Sequence, residues 1–101
     1  MRTTKNFRLG TLVLTRGVND RVADDAEFAK FVLRSIRRHA SGDWGDLCDE
    51  DRQMNDAALE RHEGKLQSRL FSAYEHPTFP KLWIITEWDE SATTVLFPDE
   101  Y

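Results

Sequence analysis

The chain has 101 residues, with 14 Lys and Arg against 18 Asp and Glu, a formal net charge of −4, three Trp, six Phe and one cysteine. Residues 1–101 therefore suit a single domain able to bury about two-thirds of its unfolded surface, and the aromatic content excludes a disordered chain. Cys48 alone excludes an intramolecular disulfide and a multi-cysteine metal site, and without an apolar run near 18 residues or a signal-peptide core the expectation is a soluble, cytoplasmic protein with no membrane partner.

The first strand is expected over Leu9 to Arg16, LGTLVLTR, where β-branched and apolar residues cluster before Gly17; GVND then reads as a turn. DDAEFAKFVLRSIRRHASG is the strongest helical signal. Asp24 is placed to cap it, Glu27 three residues later completes a capping box, and Gly42 stops it. At 100° per residue, Phe28, Phe31, Val32, Leu33 and Ile36 share an arc with Ala29, Ser35, His39 and Ala40. Lys30, Arg34, Arg37 and Arg38 fall on the opposite side.

A second helix is expected over Glu50 to Glu63, with acidic residues in its first turn, Gly64 at its end, and a thin stripe of Met54, Ala58, Leu59 and His62 that includes Asn55. Three strands follow: SRLFSAYE, then KLWIITEWD after a turn through HPTFP, then TTVLFP leading into DEY. Short links favour an antiparallel meander. The expected fold is α+β: a four-stranded, mainly antiparallel sheet in the order β-α-α-β-β-β, with two helices on one face. Where the first strand docks is left open.

The stretches LVLTRGV, RHASGDWGDL, SAYE, LWIITEWD and TTVLFPDEY, taken in order, resemble a family of small bacterial proteins carried by plasmids and other mobile elements. Its members are described as plasmid-related proteins, and sometimes as type I restriction endonuclease subunits. The resemblance covers most of the chain and implies a mobile-element setting, but it brings no catalytic residues with it. At Trp88 to Glu90 the family pattern carries a small residue, Asp and Arg; here Trp88 and Glu90 replace the small and basic types. A restriction methylase subunit also needs a cofactor fold and a base-flipping pocket, which this length cannot hold.

Two constellations carry the chemistry. In HASGDWGDL, His39, Asp43 and Asp46, with Asn55 nearby on the second helix, are candidates for acid–base or ligand-binding work, since imidazole and carboxylates titrate and coordinate at useful pH. Their spacing matches no metal signature, and no glycine-rich cofactor loop is present, so neither metal nor cofactor is expected. The competing structural reading makes Gly42 a helix stop and ties His39 to a loop carbonyl or carboxylate. Asp43 or Asp46 then bonds turn amides, and Trp44 plugs a helix–helix corner. That reading leads.

The second constellation is the ridge Lys30, Arg34, Arg37 and Arg38, which could contact phosphates or a protein partner. Residues 1–41 hold nine Lys and Arg against four Asp and Glu, and residues 42–101 hold five against fourteen. The acidic remainder opposes a long duplex, and a solvated helix face is the leading reading of the ridge. Ser35, Ser41 and Ser72 lack nucleophile-elbow glycines, and Cys48 precedes three acidic residues that disfavour its thiolate, leaving it as a small core filler. The leading expectation is a non-enzymatic protein-interaction module, defence- or restriction-related. A small ligand-binding or hydrolytic domain around His39, Asp43 and Asp46 comes second, and a nucleic-acid binder third.

Overall fold

The computed structural model describes residues 7–101. The elements run β1 (Thr11–Leu14), α1 (Arg16–Asp24), α2 (Ala26–Ala40), α3 (Asp49–Ala58), β2 (Leu70–Tyr74), β3 (Leu82–Thr86) and β4 (Ala92–Leu96), with a closing 3₁₀ turn at Pro98–Glu100. The fold is α+β. Its four strands lie in the order β1-β4-β3-β2. The β2–β3 and β3–β4 pairs form the expected antiparallel meander, while β1 docks at an edge beside β4 and runs parallel to it, making the sheet mixed.

Three helices precede β2, not two. GVND is the start of α1 rather than a turn, because Glu100 reaches back to the helix N-terminus. Its carboxylate accepts from the Gly17 N–H at 2.9 Å, from the Thr15 hydroxyl and from the Phe97 N–H at 2.9 Å. A β-carbon at Gly17 would sit 2.6 Å from that carboxylate. With α1 running to Asp24, the cap of α2 falls to Asp25, whose Oδ1 accepts from the N–H groups of Glu27 and Phe28 at 3.0 and 3.1 Å.

The far end of α2 follows the sequence reading. Gly42, at φ 82°, lets the Asp43 N–H reach the Arg38 carbonyl at 2.8 Å. Helix α3 is shorter than expected and ends at Ala58, with the Gln67 N–H donating to the Ala58 carbonyl at 3.1 Å. Gly64 has another task. His62 and Lys65 exchange two backbone hydrogen bonds across Glu63 (φ 53°) and Gly64 (φ 79°), a tight turn with two left-handed residues.

Helices α1 and α2 cover one sheet face. Val18, Phe28, Phe31 and Val32 pack on Tyr74, Leu82, Ile84 and Val95, all buried. Leu33 departs from its expected arc and is exposed; Ser35 is buried and donates to the Phe31 carbonyl at 2.8 Å. A second cluster of Trp44, Ala58, Leu66 and Leu70 joins α3 to the β2 side of the sheet. The opposite face, with Phe71, Trp83, Ile85 and Leu96, is crossed by the C-terminal turn, whose Tyr101 ring meets Trp83 edge-on at 5.8 Å.

Candidate functional site

His39, Asp43, Asp46 and Asn55 do converge, but on a strand rather than a cleft. Each one holds a different residue of β2 or of its end. Asn55 donates from Nδ2 to the Phe71 carbonyl at 2.6 Å and accepts from the Phe71 N–H at Oδ1 at 3.1 Å. His39 Nδ1 lies 2.6 Å from Ser72 Oγ. The Asp43 carbonyl accepts from the Tyr74 hydroxyl at 2.6 Å, and Asp46 Oδ2 accepts from the Glu75 N–H at 2.9 Å.

The loop after α2 completes the same job. Ala73 donates to the Trp44 carbonyl at 3.3 Å and accepts from the Asp46 N–H at 2.7 Å, so Gly45 pairs with Ala73 as a parallel bridge. Such a close approach requires glycine: at φ 76°, a β-carbon on Gly45 would lie 2.1 Å from the Ala73 carbonyl oxygen. Both outward backbone groups of Phe71 and Ala73, and the Glu75 N–H, are thus bonded. HASGDWGDL, together with Asn55, is a seal on one edge of the sheet.

His39 is fully buried, packed edge-on against Phe7 and Trp44 with ring centroids 5.6 Å away in both cases. Its partners are hydroxyls, not the expected loop carbonyl or carboxylate. Nε2 lies 2.8 Å from Thr86 Oγ1, which lies 2.7 Å from Thr93 Oγ1, and Thr93 donates to the Leu9 carbonyl at 2.7 Å. The carbonyl fixes every proton in this chain. Thr93 spends its hydrogen on Leu9, so Thr86 donates to Thr93 and accepts from His39 Nε2–H, and Ser72 donates to the bare Nδ1. Burial holds the imidazole neutral and pushes its pKa down to about 3.

A serine donating to a histidine nitrogen at 2.6 Å has the contacts of a nucleophile and its base. Both side chains are at 0% exposure, so neither presents a face to a substrate. The sequence reading considered Ser72 as a nucleophile and set it aside, and it missed Thr86 and Thr93 as partners of His39. The available signal was that Ser72, Thr86 and Thr93 occupy inward positions on three neighbouring strands, between buried apolar residues.

The rest of the loop is equally occupied. Asp43 takes both Nε and Nη2 of Arg38, at 2.7 and 3.1 Å, and the Gly45 N–H at 3.1 Å. The Arg38 hydrogen bond holds the Asp43 carboxyl below its usual range and raises the guanidinium in turn. Trp44 is buried and donates to Asp56 Oδ1 at 3.2 Å; it plugs the gap between α3 and the sheet. Cys48 is exposed at the start of α3 rather than a core filler, because its backbone is the extended cap of that helix.

The basic ridge is smaller than the sequence suggested. Lys30 pairs with Glu27 at 3.2 Å, and Arg38 is committed to Asp43 and lies 4.8 Å over the Tyr74 ring. Arg34 and Arg37 are exposed and have no partner among the described residues. Two free cations fall short of the six or more phosphate contacts behind strong salt-dependent binding.

Two shallow depressions of about 240 Å³ each lie away from His39. One is bounded by Asp51, Met54, Asn55, Ser68, Arg69 and Phe71, and the other includes Arg69, Ile85, Glu87, Leu96 and Tyr101. No group of acidic, histidine or cysteine side chains among the described residues could hold a metal ion, and no described helix is long and apolar enough to cross a membrane. Comparison of the chain with protein-family models, with curated proteins and with solved structures finds no match in any of the three.

Proposed function

We propose that the chain is a non-enzymatic protein-interaction module acting in the cytoplasm, in keeping with the plasmid and mobile-element resemblance and its defence- or restriction-related setting. The observation that carries this reading is the unequal treatment of the two sheet edges. The β2 edge is bonded residue by residue to the loop and to Asn55, whereas β1 ends the sheet with Leu12 and Val13 exposed. An edge strand left with exposed apolar side chains is a template for another chain. The burial of Ser72 and His39 weighs against the hydrolytic alternative, since a base must reach the proton it takes.

The test is a pull-down with the tagged full chain from a bacterial host, split into nuclease-treated and untreated halves. A protein retained in both halves, saturable and competed by untagged chain, is the expected result. Loss of every partner on nuclease treatment would transfer the function to Arg34, Arg37 and nucleic acid. No partner in either half would remove the module reading.

A further inference from the structure

We propose that the open edge of β1 is the docking site, and that its ligand is an extended protein segment with apolar side chains on both faces and carboxylates at both ends, added as a fifth strand. This rests on the interaction-module reading and names the chemistry of its partner. The backbone sets the geometry. Thr11 donates to the Ser91 carbonyl and Thr15 to the Val95 carbonyl, both at 3.0 Å, so alternate residues from Thr11 to Thr15 face β4. Leu12 and Leu14 therefore turn their N–H and C=O groups away from the sheet. Their side chains lie on the helix-covered face, in register with Thr93 and Val95, and Val13 lies on the opposite face.

The exposed fractions show where an added strand would gain most. Leu12 is 48% and Val13 39% exposed, one on each face of the edge. A neighbouring strand with apolar side chains on both faces, in consecutive rather than alternate positions, covers both while its backbone takes up the outward groups of Leu12 and Leu14, which have no partner among the described residues, the mode of strand addition. The β2 edge offers none of this, because its outward groups are already bonded within the chain.

Charge selects the occupant. Arg8 and Arg16 flank β1, both exposed; the Arg16 side chain has no carboxylate partner among the described residues, and Arg8 lies near the Glu90 carboxylate, which Arg61 binds directly. A second copy fits poorly. Antiparallel self-pairing about Leu12 brings the Arg8 end of one strand to the Arg16 end of the other, and parallel pairing brings like end to like end; both gather cations. A segment with Asp or Glu at each end meets both arginines in either direction. The edge thus repels itself and favours an acidic-flanked strand, attraction and exclusion from the same two residues.

The experiment uses the isotope-labelled full chain and two synthetic peptides that share a centre of consecutive valine and isoleucine residues, one with two aspartates at each end and the other with two lysines. In the free protein, the Leu12 and Leu14 amides should exchange with solvent much faster than the Phe71 and Ala73 amides. The acidic peptide should slow exchange at Leu12 and bind about tenfold tighter than the basic one, the scale of two exposed ion pairs and an avoided repulsion. Reversing both charges, Arg8→Glu with Arg16→Glu, should invert the preference. Leu12→Pro removes an outward N–H without touching the bonds to β4 and should abolish peptide binding; the charge-reversal pair carries the test should that variant not fold.

Protection of Leu12 in the free protein would mean that the edge is already occupied, by this chain or a second copy, and would overturn the proposal. Equal binding of the two peptides would overturn it as well, and so would stronger binding of a single-stranded oligonucleotide at the same amides. A partner captured equally well by parent and charge-reversed chains would leave the module reading standing and remove only the β1 edge.

Discussion

The side-chain amide of Asn55 and the backbone of Phe71 exchange two hydrogen bonds, so that one helical residue does what a neighbouring strand would otherwise do. Asn55 is buried and supplies both a donor and an acceptor in the spacing of a peptide group. Asparagine is one of two amide side chains that can do so, and it is the shorter.

Asn55→Ala should leave both Phe71 groups unbonded and cost about 2–3 kcal/mol, in line with buried unsatisfied polar groups. Asn55→Asp should cost at least as much despite its similar shape, because it loses the donor and sets a carboxylate against a carbonyl. Urea unfolding of both variants measures this. A loss well below that of other buried substitutions would show that the edge seal is water-tolerant.

His39 links stability to pH. Its folded pKa lies near 3, below the 6.5 of an exposed histidine, because burial opposes the charge. The unfolded chain therefore binds more protons than the folded one between those values. Stability owed to the neutral ring is complete above about pH 6.5 and falls as pH drops toward 3, by a few kcal/mol across the window. Nitrogen NMR should show one tautomer, protonated at Nε2, with no titration near neutrality. A titration midpoint near 6.5 would contradict the hydroxyl chain.

His39→Ala should destabilise the fold by about 3 kcal/mol, since it opens a cavity and strips partners from the Ser72 and Thr86 hydroxyls. Thermal unfolding at neutral pH reads this directly. The pH dependence between 3 and 6.5 should flatten in the same variant, which separates the histidine from other acid effects.

Gly17 and Glu100 predict a reversal of helix propensity. Gly→Ala within a helix ordinarily gains about 1 kcal/mol. Here the new methyl would contact the Glu100 carboxylate, which bonds the Gly17 N–H and the Thr15 hydroxyl. Gly17→Ala alone should therefore destabilise, Glu100→Ala should cost about 1 kcal/mol as a lost cap, and the pair should be more stable than the sum of the singles implies. A double-mutant cycle by denaturant titration gives the coupling; additivity would mean that Glu100 swings aside at no cost.

Glu90 sets a carboxylate against backbone strain. It has φ 59°, where glycine is favoured, and yet it receives Arg61 at 2.7 and 3.1 Å and the Arg8 N–H at 2.7 Å. The Arg61 hydrogen bond, with help from Arg8, holds its carboxyl below the usual range. The stability it contributes is present above the unfolded carboxylate pKa and is lost as pH falls through the lower, folded value. Glu90→Gly should lose about 1 kcal/mol or more on balance, strain relief included, because hydrogen bonds to charged groups are worth more than the left-handed penalty. A stabilised Glu90→Gly would reverse that ranking.

Local pattern carried much of the architecture. The apolar arc of α2, the Gly42 stop and the three-strand meander all follow from residues close together in the sequence. What escaped was fixed at long range. Gly17, Asn19 and Asp20 read as a turn because the carboxylate that bonds the N-terminus of α1 belongs to Glu100. Asn55 could be marked as buried, but its partner Phe71 lies beyond a loop and a turn. His39 could be placed on the apolar arc, while its hydroxyl partners came from two different strands.

The parallel pairing of β1 with β4 has a further consequence for synthesis. Thr11 is matched with Ala92, so β1 leaves the ribosome well before β4 and has no place in the sheet until β4 follows. Closing so long a loop is entropically late and slows folding relative to the meander, whose strands are neighbours in the chain. During translation the LGTLVL segment is an unpaired apolar strand beside the cations that flank it. Arg8 and Arg16, which later border the open edge, would then guard the nascent chain against pairing with its own copies on adjacent ribosomes.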